Sequence, residues 1–209
     1  VSRMRTLADE LGVLLLIGSI QEEVPGETER YANTSVLIDG RESAAPIAAV
    51  YRKMHLFDID MPGGEVQRES DYIACGNVPT AVTFEGWCVG LTICYDLRFP
   101  ALYQHLVSLG ANILTVPSAF TEFTGKDHWL TLLRARAIEN QCYVVAPNQW
   151  GHHGGARRSF GKSAIIDPWG ITLGVAPDRV GFTLATLHLD DVGAIRSALP
   201  CQQHRHPDL

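Results

Sequence analysis

The sequence has no CxxC pair and no even set of cysteines. Its five cysteines, Cys75, Cys88, Cys94, Cys142 and Cys201, stand singly. That argues against a disulfide framework and a structural zinc site, and for a reducing, cytoplasmic compartment. Long apolar runs are absent too. "LGVLLLIGSI" (11–20) falls short of the roughly 20 residues that span a bilayer. It also lacks the basic, apolar, then small layout of a signal peptide, so no membrane partner is expected. No basic stripe occurs. Lysine and arginine are scattered, Arg157–Arg158 is the one local cluster, and the net charge is −6. Nucleic acid is therefore not an expected partner. There is no internal repeat, low-complexity tract or linker. A chain of 209 residues can bury one real core, so a single domain over 1–209 is expected.

What is present reads as a mixed α/β protein. "RTLADELG" has helical spacing and a glycine stop at Gly12. "VLLLIGS" does not alternate, which predicts a fully buried strand. "NTSVLI" and "IAAVYRK" are strand-like, joined by a turn around Gly40, and "MPGGEVQRES" is a loop with a Pro-Gly-Gly turn. "TAVTF" and "WCVGLTIC" form a hairpin through Glu85–Gly86. "ALYQHLVSLG" and "KDHWLTLLRARAIENQ" are helices, with the strand "ANILTVPS" between them; "CYVVAP" is a buried strand. "NQWGHHGGARRSFG" reads as a glycine-rich loop, and "KSAIIDPWGITLGVA" as strand, turn, strand. "GFTLATLHL" reads as a strand, and "DDVGAIRSALP" as a short helix before the tail. Strand–helix–strand units mixed with hairpins imply a largely buried sheet covered by helices.

The chemistry centres on "VGLTICYDLRFP" (89–100). Cys94 ends an apolar strand just before a helix. The N–H groups of Tyr95 and Asp96 are thus expected at the strand tip, where an anionic intermediate can be stabilised. A small apolar residue closing a strand is the plain alternative, and it suits Cys88 and Cys142. A free thiol has a pKa near ~8.5 and needs a base or a cation near neutrality. Five histidines, His55, His105, His128, His152 and His153, are candidates for a cysteine–histidine pair. The other arrangement is a cation with a carboxylate: Lys53 closes "YRK", and Glu69 lies in the following "QRES" loop.

Taken together, "YRKMHLFDIDMPG", "CYDLRFP", "RARAIENQCYVVAPNQWG" and "SFGKSAIIDPWG" resemble the nitrilase superfamily of carbon–nitrogen hydrolases, in its order and spacing. "PSAFTEFTGKDHW" and the ending "LPCQQHRHPDL" are similar to the deaminated-glutathione amidase and omega-amidase branch. The resemblance implies a nitrilase-like four-layer αββα sandwich completed by dimerisation, so a homodimer or higher homo-oligomer. It implies an amidase acting through a cysteine thioester on a small carboxylate-bearing amide, such as deaminated glutathione or an omega-amide. Cys94 matches the nucleophile, Lys53 the catalytic lysine and Glu69 the second glutamate. Tyr95 would offer its N–H to the oxyanion. Arg98 or Arg157–Arg158 would hold the substrate carboxylate, with a salt bridge to Asp96 the alternative for Arg98. Phe120 would line the pocket or pack in the core. No metal and no organic cofactor are expected. His204 and His206 could bind a metal through "HRH", but solvated or interface histidines are the simpler reading.

One departure stands against this pattern. The family's first catalytic glutamate, its general base, closes an early strand in a "PE" motif, and none of Glu10, Glu22 and Glu23 matches it. The first strand–helix–strand unit of the family fold has no counterpart. A fragment, a natural short paralogue and a substitute glutamate are the three accounts. Under the first two, hydrolysis should be weaker on the order of 10²–10⁴-fold. A catalytically impaired interaction protein on the same fold is the alternative function.

Overall fold

The computed structural model describes residues 1–27, 29–60, 66–155 and 157–206. The chain starts with helix α1 (Ser2–Leu11), which stops at Gly12 in the left-handed conformation, φ 63°. Three antiparallel strands follow and form one sheet: β1 (Leu14–Glu23), β2 (Tyr31–Asp39) and β3 (Ile47–Arg52). The short strands β4 (Asp58–Asp60) and β5 (Val66–Arg68) make a separate hairpin. The Pro-Gly-Gly turn expected between them lies outside the described residues.

The second sheet has six strands. They are β6 (Thr80–Phe84), β7 (Trp87–Leu91), β8 (Ile113–Thr115), β9 (Tyr143–Ala146), β12 (Ala164–Ile166) and β13 (Thr172–Val175), in the order β13-β12-β9-β8-β7-β6. β7, β8 and β9 run parallel, and the flanking pairs are antiparallel. The parallel crossovers are the helices α2 (Pro100–Ser108) and α3 (Glu122–Asn140), as parallel neighbours require. Between β9 and β12 the hairpin β10 (Trp150–His152) and β11 (Arg158–Phe160) stands apart. Helix α4 (Leu189–Ala198) closes the regular structure.

The layers follow from the strand faces. Leu15, Ile17, Val36 and Ile38 pack with Met4 and Ala8 of α1. Leu16, Ala49 and Tyr51, on the opposite face of the same sheet, join the main core with Val89 and Leu91 of β7, Leu106 of α2 and Leu133 of α3. The order is helix, sheet, sheet, helix, so the four layers form within one chain without a second copy. This also explains why "VLLLIGS" does not alternate: both faces of β1 meet protein. The strand is nevertheless only half-buried, not fully buried as its composition suggested.

Three expectations change. The glycine-rich stretch 148–161 contains the hairpin β10–β11. Helix α3 begins four residues earlier than its apolar spacing indicated, at Glu122. "GFTLATLHL" forms no strand: it has no ladder partner, and Phe182 and Leu184 are both 79 % exposed. Its alternating apolar residues mimic a half-buried strand, but no sheet edge pairs with it. No helix is long and apolar enough to cross a membrane among the described residues.

Candidate functional site

A cavity of about 760 Å³ opens where the two sheets meet. Strand β3 delivers Lys53 to it. The residue follows the last strand position, its N–H donates to Asn33 O (2.9 Å), and its side chain is buried. Lys53 Nζ forms an ion pair with Glu69 Oε2. Glu69 sits at the start of a short 3₁₀ turn after β5 and is buried rather than in an open loop. Its carboxylate takes two further donors, Phe57 N–H at 2.6 Å and Asn33 Nδ2 at 3.1 Å. A buried carboxylate with three donors is firmly oriented.

Cys94 comes from the other sheet. After β7 the chain enters a 3₁₀ turn, Cys94–Arg98, and Cys94 itself adopts φ 48°. A left-handed backbone at a residue with a side chain is strained by about 1–3 kcal/mol and needs support from its surroundings. Part of that support is visible: Cys94 N–H donates to Pro117 O at 2.9 Å. Burial pushes the Cys94 thiol above its ordinary pKa. The Lys53 ammonium pulls it down, as do hydrogen bonds from Ala119 N–H and the Ser118 hydroxyl, while Glu69 raises it again. Burial wins. The lysine offsets part of the desolvation.

Cys94, Lys53 and Glu69 all line the cavity, and so do the expected binding residues Tyr95, Arg98, Phe120 and Arg158. The Tyr95 ring meets Phe57 and Phe99 edge-on, at 5.0 and 5.3 Å between centroids. The Arg98 guanidinium lies 5.1 Å from the Phe120 ring centre and 5.9 Å from that of Tyr95, and its Nη1 donates to His128 Nδ1 at 3.3 Å. Arg98 makes no salt bridge with Asp96, which is bound elsewhere. Phe120 serves both of its readings: it packs against Trp129 and also walls the cavity. Arg158 Nε meets Glu122 Oε1 at 3.1 Å. Of the two N–H groups expected to be available at the turn, that of Asp96 is already bound to Ile93 O at 3.1 Å.

The histidines stay out of the thiol's electrostatics, where Lys53 and Glu69 are the charged partners. His153 does line the cavity, with its Nε2 against Ser159 Oγ at 2.9 Å. Glu22 does not line it. That carboxylate is held by Arg52 at 2.6 and 2.8 Å and by the Thr34 hydroxyl at 2.7 Å. No group of three or more metal-ligating side chains occurs among the described residues.

Several site residues carried no sequence signal. Asn33, Ser118 and Glu122 are polar residues in unremarkable contexts. Gly18 lines the cavity where β1 passes Pro117 so closely that a Cβ would overlap the proline ring. The register shift between Ile17 and Ile20 marks that spot, and a glycine inside a strand was the available signal.

The carbon–nitrogen hydrolase family profile matches residues 1–197. The deaminated glutathione amidase of Synechocystis sp. (strain PCC 6803 / GT-S) is 42 % identical over 206 residues, covering 97 % of this chain and 74 % of that protein. The deaminated glutathione amidase of Rattus norvegicus is 44 % identical over 207 residues, covering 97 % and 62 %. Among solved structures, the C. elegans NitFhit protein aligns with a TM-score of 0.91 at 40 % identity, over 99 % of this chain and 50 % of that one. Saccharomyces cerevisiae Nit3, a member of branch 10 of the nitrilase superfamily, aligns at 0.85 and 29 %, over 97 % and 70 %. The chain thus spans between half and three quarters of the length of these relatives.

Proposed function

This chain belongs to the carbon–nitrogen hydrolase family, hydrolases of carbon–nitrogen bonds, and from that premise we propose that residues 1–209 form one amidase domain whose Cys94 attacks a small, carboxylate-bearing amide such as deaminated glutathione or an omega-amide. The carrying observation is the convergence of Cys94, Lys53 and Glu69 in one cavity of substrate size. In this reading the Cys94 sulfur bonds to the amide carbonyl carbon. The Lys53 ammonium and the Tyr95 N–H face the oxygen on which charge develops. The amine leaves with a proton, a thioester remains on Cys94, and water cleaves it to the carboxylic acid.

Glu69 orients Lys53 in this scheme. Among the described residues two glutamates line the cavity and both are engaged, Glu69 by three donors and Glu122 by Arg158. Proton transfer from thiol and water is therefore slow here, on the order of 10²–10⁴-fold below a site with an uncommitted carboxylate. That engagement also supports the second reading, an impaired interaction protein on the same fold. Arg98, whose charge rests on two aromatic faces, and Arg158 are suited to the substrate carboxylate. The five free cysteines suit a reducing, cytoplasmic setting. Pairing with a second copy is supported by the exposed apolar residues Val180, Phe182 and Leu184, and sedimentation equilibrium would detect it as a doubled mass.

Intact-mass spectrometry during incubation with deaminated glutathione tests the amidase reading. An acyl adduct confined to Cys94, or release of the carboxylic acid, is expected, and Cys94→Ala should remove both. Neither product nor adduct, with Cys94 still open to an alkylating agent, would leave the interaction protein as the function.

A further inference from the structure

Asp96 lies two residues beyond Cys94 and is fully buried. It touches neither the cavity nor a basic side chain of Lys or Arg. Its carboxylate instead receives four hydrogen bonds from three residues. Oδ2 accepts from Ile93 N–H at 2.8 Å and from the Tyr51 hydroxyl at 2.8 Å. Oδ1 accepts from His55 N–H at 3.1 Å and from His55 Nδ1 at 2.8 Å. A carboxylate only accepts, so the His55 ring carries its proton on Nδ1 in this contact. Ile93 is the residue before Cys94. Tyr51 and His55 flank Lys53, two positions to either side.

We infer that Asp96 is the positioning residue that fixes the Cys94 turn to the chain segment carrying Lys53, and so holds sulfur and ammonium within reach of each other. The inference rests on Cys94 being the nucleophile. The bonds to Ile93 and Tyr51 share one oxygen, so the turn and the lysine strand are joined through a single atom. Their reach crosses from the six-stranded sheet to the three-stranded one. Two further contacts brace the joint. The His55 ring stacks on Phe99 with centroids 3.7 Å apart and planes 7° from parallel, and Met54 N–H donates to the Tyr51 hydroxyl at 3.3 Å. Burial, with the Asp96 charge adding to it, holds the Tyr51 phenol far above its ordinary pKa, so it stays a donor. The backbone at Cys94 is strained and is bound by Pro117 on one side and by this turn on the other. A side-chain amide cannot replace the carboxylate. Each oxygen serves one backbone N–H that cannot rotate, so the NH₂ of asparagine would face a donor in either orientation.

The test is the rate at which iodoacetamide alkylates Cys94, followed by peptide mass spectrometry across pH, with circular dichroism as the control for folding. Asp96→Asn is expected to keep the fold, slow alkylation at neutral pH by roughly 10-fold or more, and move the midpoint of the pH–rate curve upward, because the thiol loses the ammonium. A folded variant with wild-type rate and midpoint overturns the inference. If Asp96→Asn does not fold, the double variant Tyr51→Phe/His55→Ala decides. It leaves the carboxylate with its two backbone donors and cuts both side-chain ties to the lysine segment. It should slow alkylation several-fold with an upward midpoint, and unchanged alkylation overturns the inference. Alkylation reads the thiol directly, so failure of amide turnover is a separate result that bears only on the amidase reading.

Discussion

At the scale of the residue, cations that line the cavity already have resident carboxylate partners. Arg158 is the clearest case, because Glu122 already supplies it with a carboxylate at 3.1 Å, and both side chains are 40 % or more exposed. An incoming substrate carboxylate must compete with that resident one. Exposed pairs of this kind are worth about 0.2–1 kcal/mol. Glu122→Gln should therefore lower KM for an anionic amide by roughly 1.4- to 5-fold, and leave a neutral amide of the same size untouched. Steady-state comparison of the two substrates checks it. A rise in KM for the anionic amide would mean that Glu122 positions Arg158 rather than competing for it.

The same scale shows what the sequence could and could not reveal. Cys94, Lys53 and Glu69 were legible because each sits in a short distinctive string whose order survives in the linear chain. Asp96 sits in the same string as Cys94, but the string offers its carboxylate only Arg98 as a partner. Its real donors lie 41 and 45 residues away and on the residue before the cysteine, so nothing local announces them. The upward shift of the Cys94 thiol is not legible in the sequence for a related reason. A nearby ammonium can be guessed from a motif, whereas the desolvation that outweighs it depends on the packing of two sheets.

At the scale of the element, the hairpin β10–β11 carries Arg158 to the cavity and is docked on the start of α3. Phe160 N–H donates to Phe120 O at 2.9 Å, and the helix admits the Phe160 side chain only because residue 125 is glycine. A Cβ there would lie 2.5–2.9 Å from Phe160. Gly125→Ala should displace the hairpin and cost about 1–3 kcal/mol of stability through overpacking. The useful readout is the split. KM for an anionic amide should rise, while alkylation of Cys94, which the turn after β7 carries, keeps its rate. Equal losses in both would indicate general damage. In the sequence this hairpin reads as a loop because four glycines and two histidines hide its short strands, while 181–189 reads as a strand because its apolar residues alternate. Alternation reports a two-sided environment only when a neighbouring edge supplies the backbone partners.

At the scale of the whole molecule, buried acids with raised pKa values set the alkaline limit of the fold. Cys142 has no exposed surface, and burial pushes its thiol up to about 11, against the pull of Arg196. In the unfolded chain a thiol titrates near ~8.5. Between those values the folded state holds more protons, so stability falls as pH rises from about 8.5 to about 11. The loss from this one group is roughly 3 kcal/mol at most. Burial raises Tyr51, Tyr103 and Cys94 in the same direction, so they extend the fall. Urea midpoints at pH 7.5 and 10.5 should differ clearly for the wild type and by less for Cys142→Ala. An identical drop in the variant would remove Cys142 as a contributor.

The Cys94 thiol and the Lys53 ammonium belong to different sheets, with Lys53 following β3 and Cys94 following β7. Each sheet can acquire its own hydrogen bonds without bringing the two side chains together. During refolding, pulse labelling of Cys94 therefore serves as a clock for the moment the sheets close on each other. It separates assembly of the sandwich from formation of its strands, which backbone spectroscopy alone would merge.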